Sequence, residues 1–175
     1  MPEDPIVCDT GPLIALSLID QLDALRSLYR QILVPRVVLE EVTAGGVDRP
    51  GAPAILAANW LEPVEDVTPD PLLAEELGPG EAAVIAAAYE LHARLVLLDE
   101  RKARRIAART YGLRVKGSAG LLVAAKRAGL IAEVRPLLDS MVRKGYFLSQ
   151  RLVERASKEA GETAGPSEAE SPQDS

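Results

Sequence analysis

Ile6-Val7-Cys8-Asp9-Thr10-Gly11-Pro12-Leu13-Ile14 is the stretch on which the fold turns. Three apolar residues, bounded by Pro5 on one side and Asp9-Thr10-Gly11-Pro12 on the other, read as a short buried strand that stops at a turn. Pro12 suits the first position of a helix, and Ile14, Leu18, Leu22 and Leu25 then recur at helical spacing. The same unit returns at Leu95-Val96-Leu97-Leu98-Asp99, an apolar run suited to the interior of a parallel sheet, with Arg101 to Tyr111 following as a helix. Each time a buried strand delivers an aspartate to the start of a helix.

Working outward, Ile32 to Val34 predicts a second strand stopped by Pro35, and Arg36 to Val42 a helical turn or two closed by Gly45-Gly46. Asp48 to Pro53 reads as a loop, Ala54 to Trp60 as a short helix or strand, and Glu62 to Pro71, with three prolines and four acids, as a connecting segment. Alanine-rich Glu81 to Leu91 predicts a helix suited to burial against a sheet. Leu113 to Val115 is a weak strand, and Ser118 to Ala128, Val134 to Lys144 and Ser149 to Ala160 are helices. The alternation predicts an α/β fold of three layers, α/β/α, with a central parallel sheet and right-handed crossovers. At 175 residues, 47% of them hydrophobic, the chain fits one core. From Gly161 onward no core residue except Thr163 appears, so an acidic disordered tail is expected over 161–175, and no internal repeat is found.

Composition narrows the chemistry. The acidic, proline-broken start Met-Pro-Glu-Asp-Pro is followed by no long apolar stretch, which predicts a soluble cytoplasmic protein without signal peptide or membrane span. The single cysteine, Cys8, cannot form an internal disulfide and reads as a core residue. With one histidine, His92, read as a helix-end or surface residue, a His-rich metal site is excluded. Acid-base or metal chemistry then falls to 26 Asp and Glu, which favour hard, oxygen-loving cations. The net charge of −6 hides a polarity: residues 1–100 carry 18 acids and five bases, whereas 101–132 carry nine bases and no acid. That basic block suits either a solvated helix surface or a phosphate backbone.

In an open parallel sheet the ligand site lies beyond the carboxyl ends of the strands, which is where Asp9 and Asp99 are delivered if their strands are neighbours. Either alone could be a helix cap. Carboxylates about 4 Å apart repel by roughly 4 kcal/mol per pair at an effective dielectric of 20, so a cluster of them needs protons or a cation. A divalent ion there can activate water and stabilise charge on a phosphoryl group. Glu81 follows Leu77-Gly78-Pro79-Gly80 at a helix start, a place favoured by the helix dipole whatever its function. Of Glu40 and Glu41, only Glu41 flanks the buried stripe Val34, Val38 and Val42; Glu40 lies nearly opposite it.

Asp9-Thr10-Gly11-Pro12-Leu13-Ile14, Val34-Pro35-x-x-Val38-x-x-Glu41-Val42, Leu77-Gly78-x-Gly80-Glu81-Ala82 and Leu97-Leu98-Asp99-Glu100-Arg101-Lys102-Ala103-Arg104 together resemble PIN-domain nucleases. The branch resembled is that of the small prokaryotic VapC-type toxins of toxin-antitoxin systems. Val115-Lys116-Gly117-Ser118-Ala119-Gly120 and Ala125-Lys126-Arg127-Ala128-Gly129 extend the likeness, which covers residues 6 to about 155. The resemblance implies a PIN-like nuclease domain over 1–160 and a Mg2+- or Mn2+-dependent endoribonuclease acting on RNA. It also implies a homodimer held inactive by a cognate antitoxin. Position by position it carries the catalytic, metal-holding set onto Asp9, Glu41, Glu81 and Asp99. Thr10, Ser118 and Glu100 become further candidates near the site, and Arg104 a partner for an acid there. It gives the basic block a role: Arg101, Arg105 and Arg109, spaced i, i+4, i+8, form one ridge along which an RNA backbone would pass.

Asp9-Thr10-Gly11 is also the triplet of aspartic proteases, but those need a β-rich body, and here a helical pattern follows at once. A haloacid-dehalogenase-like phosphatase needs a second Asp two residues on, where Gly11 stands. A PIN-like fold that binds RNA or a protein without cutting remains open, with all four acidic positions filled.

Overall fold

The computed structural model describes residues 4–46, 48–65 and 67–162. In chain order the elements are Ile6–Cys8 (β1), Thr10–Leu18 (α1), Leu22–Tyr29 (α2), Ile32–Pro35 (β2), Arg36–Ala44 (α3), Ala52–Leu56 (α4) and Leu61–Val64 (β3). Pro71–Glu76 (α5), Pro79–Glu90 (α6), Leu95–Leu97 (β4), Arg101–Arg109 (α7), Val115–Lys116 (β5), Ser118–Arg127 (α8), Arg135–Arg143 (α9) and Gln150–Glu159 (α10) complete them. All five strands are parallel, in the order β3-β2-β1-β4-β5. The chain builds outward from β1 to β2 and β3, then crosses back to add β4 and β5 on the other flank. Right-handed crossovers in those opposite directions put α1 and α2 on one face and α6 on the other, giving three layers. None of the described helices is long and apolar enough to cross a membrane.

Composition explains the layering. β1 and β4 are buried along their whole length because helices cover both faces, hence their uninterrupted Ile, Val, Leu and Cys. In α6 every residue from Ala82 to Ala88 is buried, since small side chains let it lie close on β1, β2 and β4. α7 is the opposite case: Ala103 and Ala107 form the buried stripe, and Arg101, Arg105 and Arg109 stand exposed.

Several boundaries differ from the sequence reading for physical reasons. The helical pattern from Pro12 to Leu25 is two helices, because Asp20 takes a left-handed conformation (φ 55°) and ends α1. Glu62 is not in a connecting segment: Leu61–Val64 is the edge strand β3, in register with β2 from Ile32↔Leu61 to Pro35↔Val64. An edge strand needs hydrogen bonds on one side only, so Pro63 and the flanking acids are tolerated. Pro71 opens α5, with the Asp70 side chain capping the Leu72 amide at 2.9 Å. The weak strand at 113–115 falls instead at Val115–Lys116.

Gly161 and Glu162, the first two residues of the expected tail, are among the described residues. The Glu162 carboxylate accepts from the amides of Val134 (2.6 Å) and Arg135 (2.8 Å) and pairs with Lys126 Nζ (2.8 Å), so it caps α9 from a distant part of the chain. Burial pushes this carboxyl up, but Lys126 and the two amides outweigh it and hold it below its ordinary value. The expectation of disorder beyond it falls on 163–175, outside the described residues.

Candidate active site

β1 and β4 are hydrogen-bonded neighbours, with Cys8 opposite Leu97 and the Asp9 amide donating to the Leu97 carbonyl at 3.0 Å. Their carboxyl ends therefore open side by side, at the point where the strand order reverses. A cleft of about 750 Å³ lies there, lined by Asp9, Glu41, Glu81 and Asp99 among others. Four acids from four separate segments thus face one space. No three His, Cys, Asp or Glu side chains among the described residues converge tightly enough to ligate a single ion. Like charges at short range repel, and Glu41 and Asp99 are turned onto partners of their own.

Asp9 is the exception. It stands at the N-cap position of α1 yet makes no side-chain cap hydrogen bond, and it is only 6% exposed. Its Oδ1 is buried with no hydrogen-bond partner. Burial is the main cause that lifts its carboxyl from the ordinary 3.8 to about 7; the Glu81 and Glu41 charges add to this, and the Thr10 and Gly11 amides oppose it. Capping alone does not explain an orphaned buried carboxylate oxygen beside two other acids.

The remaining acids are held by hydroxyls and glycines. Thr10 Oγ1 donates to Glu41 Oε2 at 2.9 Å. Glu41 lies against the first turn of α6, where a Cβ on Gly80 would stand 2.6 Å from Oε1, so any larger residue there would push the carboxylate aside. Glu40, one residue earlier, is exposed and lines a different surface with Arg36 and Thr43. Asp99 accepts from the Ser118 amide at 2.7 Å, from Ser118 Oγ, and from Tyr146 Oη at 2.5 Å. It thereby ties the end of β4 to the start of α8 and to the loop before α10. Gly11 lets Tyr146 Oη approach, at 3.3 Å from where a Cβ would stand. Burial, and then the Asp99 charge, push the Tyr146 phenol well above its ordinary value, so it donates throughout the usable pH range.

Glu100 lines the same cleft, and Arg104 takes a partner other than the expected acid. Glu100 spends its carboxylate on the α7 N-terminus, accepting from the amides of Lys102 (2.9 Å) and Ala103 (2.6 Å). Arg104 makes no ion pair among the described residues: its guanidinium donates to the Leu98 carbonyl at 3.3 Å and sits against Gly117, where any side chain would collide with it. Cys8 is fully buried, and burial pushes its thiol well above the ordinary range, as suits a core residue. His92 is exposed just beyond α6, in a left-handed conformation (φ 51°).

Sequence reasoning missed Tyr146. The available signal was Gly145-Tyr146-Phe147, an aromatic pair in a chain with 3% aromatic residues, but nothing local ties residue 146 to Asp99. It missed Arg49 and Lys144 on the cleft wall for the same reason.

In a parallel α/β/α domain the crevice beyond neighbouring strand ends is where ligands bind, and here acids line it. A family model described as a PIN domain matches residues 5–162, and the chain belongs to that family. PIN domains are in general nucleases and typically use divalent metals. A search of curated proteins finds no match. The Asp9-Thr10-Gly11 triplet opens a helix on a parallel sheet, not the β-rich body that an aspartic protease requires.

Proposed function

We propose that the protein is a metal-dependent endoribonuclease of the cytoplasm that hydrolyses RNA phosphodiester bonds, and that it is the toxin of a toxin-antitoxin pair. The observation that carries the catalytic part is the orphaned, buried Oδ1 of Asp9 in a cleft that it shares with Glu41, Glu81 and Asp99. An acid-only donor set of this kind suits Mg2+ or Mn2+, and a cation would satisfy the oxygen that lacks a partner. Asp9 and Asp99 would be the principal holders, with Glu41 and Glu81 completing the set. When bound, such an ion lowers the pKa of water and offsets charge that builds on the phosphoryl oxygens.

The chain's own residues supply the rest. Thr10 and Ser118 act as positioning residues, aiming Glu41 and Asp99 through their hydroxyls. Arg101 stands exposed on the cleft wall, where it can meet a phosphate, and Arg105 and Arg109 continue its ridge. The toxin role, the antitoxin and a homodimer rest on the sequence resemblance to VapC-type proteins.

One observation favours a second reading, a PIN-like module that binds without cutting: Asp99 already accepts three hydrogen bonds. Cleavage of mixed cellular RNA separates the two, using purified wild type and Asp9→Asn with manganese and with chelator. The ribonuclease reading expects cleavage only by wild type with manganese. Equal cleavage by the variant would remove the site from the mechanism, and no cleavage by either would favour the binding module.

A further inference from the structure

Phe147 is the chain's single phenylalanine, and at 89% exposure it is the most accessible large apolar side chain among the described residues. The loop that carries it is nevertheless firmly anchored. Lys144 Nζ donates to the Leu18 carbonyl at 2.6 Å, and the Tyr146 amide to the Met141 carbonyl at 3.1 Å. Tyr146 Oη is bonded to Asp99, Gly145 makes the turn at φ 90°, and Ser149 caps α10. The ring's backbone is fixed while the ring itself stands almost fully in solvent, which is unusual for so large an apolar side chain.

Its location suggests what covers it. A second cleft, about 540 Å³, shares Asp99 with the first and is lined by Arg101, Arg104, Lys116 and Arg155, with Glu159 as a further charged group and Leu148 and Leu152 among its apolar residues. Phe147, Tyr146, Asp99 and Arg101 line both clefts and so form the divide between the acidic and basic halves. Arg101 is exposed and makes no ion pair among the described residues. A base-sized flat surface beside a free guanidinium, with more cations beyond, matches the alternating chemistry of a nucleic-acid strand: phosphates for the cations and a base face for the ring.

We propose that Phe147 is a stacking platform for one unpaired base next to the scissile phosphate. The strand would run from the carboxylate cleft across Phe147 into the second cleft. A base held in a duplex is stacked on its neighbours and has no free face to offer the ring. This inference rests on the ribonuclease reading above, and its test distinguishes the two.

The test is equilibrium binding, in chelator so that nothing is cut, of a fluorescently labelled oligoribonucleotide without self-complementarity and of the same strand annealed to its complement. Wild type, Phe147→Ala and Phe147→Trp are compared; the ring is solvent-exposed, so the variants keep the fold. Stacking contributes about 1–3 kcal/mol per base, so Phe147→Ala should weaken single-strand binding roughly 10- to 100-fold, leave duplex binding unchanged, and be rescued by Phe147→Trp. A 2-aminopurine in the strand should be quenched by wild type and not by Phe147→Ala. Unchanged single-strand binding by Phe147→Ala, or equal losses on single and double strands, would overturn the proposal; the first result would assign the ring to a protein contact. Manganese-dependent cleavage of the same oligonucleotide by wild type is read in parallel. If wild type cuts but Phe147→Ala binds normally, stacking alone fails; if wild type neither binds nor cuts, both readings fail.

Discussion

Replacing Asp9 by asparagine should stabilise the metal-free protein at neutral and alkaline pH while removing its activity. The folded protein keeps the Asp9 proton up to about pH 7, whereas an unfolded chain gives it up near the ordinary 3.8. The folded pKa is raised, so this carboxyl's contribution to stability is fully present below pH 3.8 and is lost as pH rises to 7. A shift of about three units at 1.36 kcal/mol each corresponds to a loss of about 4 kcal/mol, a large share of the 5–15 kcal/mol typical of a domain. At about 2–4 °C per kcal/mol for a chain of this size, that is roughly 10 °C in Tm. Asparagine has no proton to lose, and carboxylates remote from the cleft are unaffected by the change, so the difference between the two proteins reports Asp9 together with the neighbouring charges coupled to it. Thermal unfolding by circular dichroism in chelator from pH 4 to 8.5 is the assay. The two melting curves should converge near pH 4, with Asp9→Asn melting up to roughly 10 °C higher at pH 8. A gap independent of pH, or a variant less stable than wild type at pH 8, would refute the reasoning.

Three further outcomes follow from the same geometry. Gly80→Ala should raise helix propensity by up to about 1 kcal/mol yet lower kcat, because the new methyl occupies the space of the Glu41 carboxylate; a Tm held or raised alongside unchanged kcat would contradict this. Tyr146→Phe keeps the ring and removes one donor to Asp99, a bond to a charged group that contributes about 1.5–3 kcal/mol, so kcat should fall about tenfold or more with KM for RNA little changed. Each of Arg101→Ala, Arg105→Ala and Arg109→Ala should lower the slope of log K against log salt by about 0.7–0.9 if its guanidinium meets a phosphate, a quantity read from binding between low and moderate salt.

How much of this was legible in the sequence depended on the range of the interaction. β1, β4 and the aspartates that follow them could be read locally, because buried parallel strands are uninterrupted apolar runs and their ends are marked by turn residues. β3 was hidden because an edge strand tolerates Pro63 and exposed acids, which in isolation mean a loop. The split between α1 and α2 hung on one left-handed residue, Asp20, inside a periodic apolar pattern. In the site, helical phase could tell Glu41 from Glu40, since both lie on one helix. Tyr146 could not be found this way. It reaches Asp99 across 47 residues of chain, and the glycines at 11, 80 and 117 that make room for the site have meaning only once the facing side chains are known. The Glu162 cap on α9 is a contact of the same long-range kind.

The central claim is that Asp9 and Asp99, with Glu41 and Glu81, hold a divalent cation beyond the ends of β1 and β4. Calorimetric titration of Mn2+ into the folded protein at pH 7, repeated in buffers of different ionisation enthalpy, tests it without relying on activity. With Asp9 half-protonated near pH 7, wild type should bind Mn2+ and release roughly half a proton on doing so. Asp9→Asn should bind far more weakly and release no proton, and Asp99→Asn should also bind weakly. Equal Mn2+ affinity in wild type and both variants, or binding by wild type with no proton released, would contradict the account.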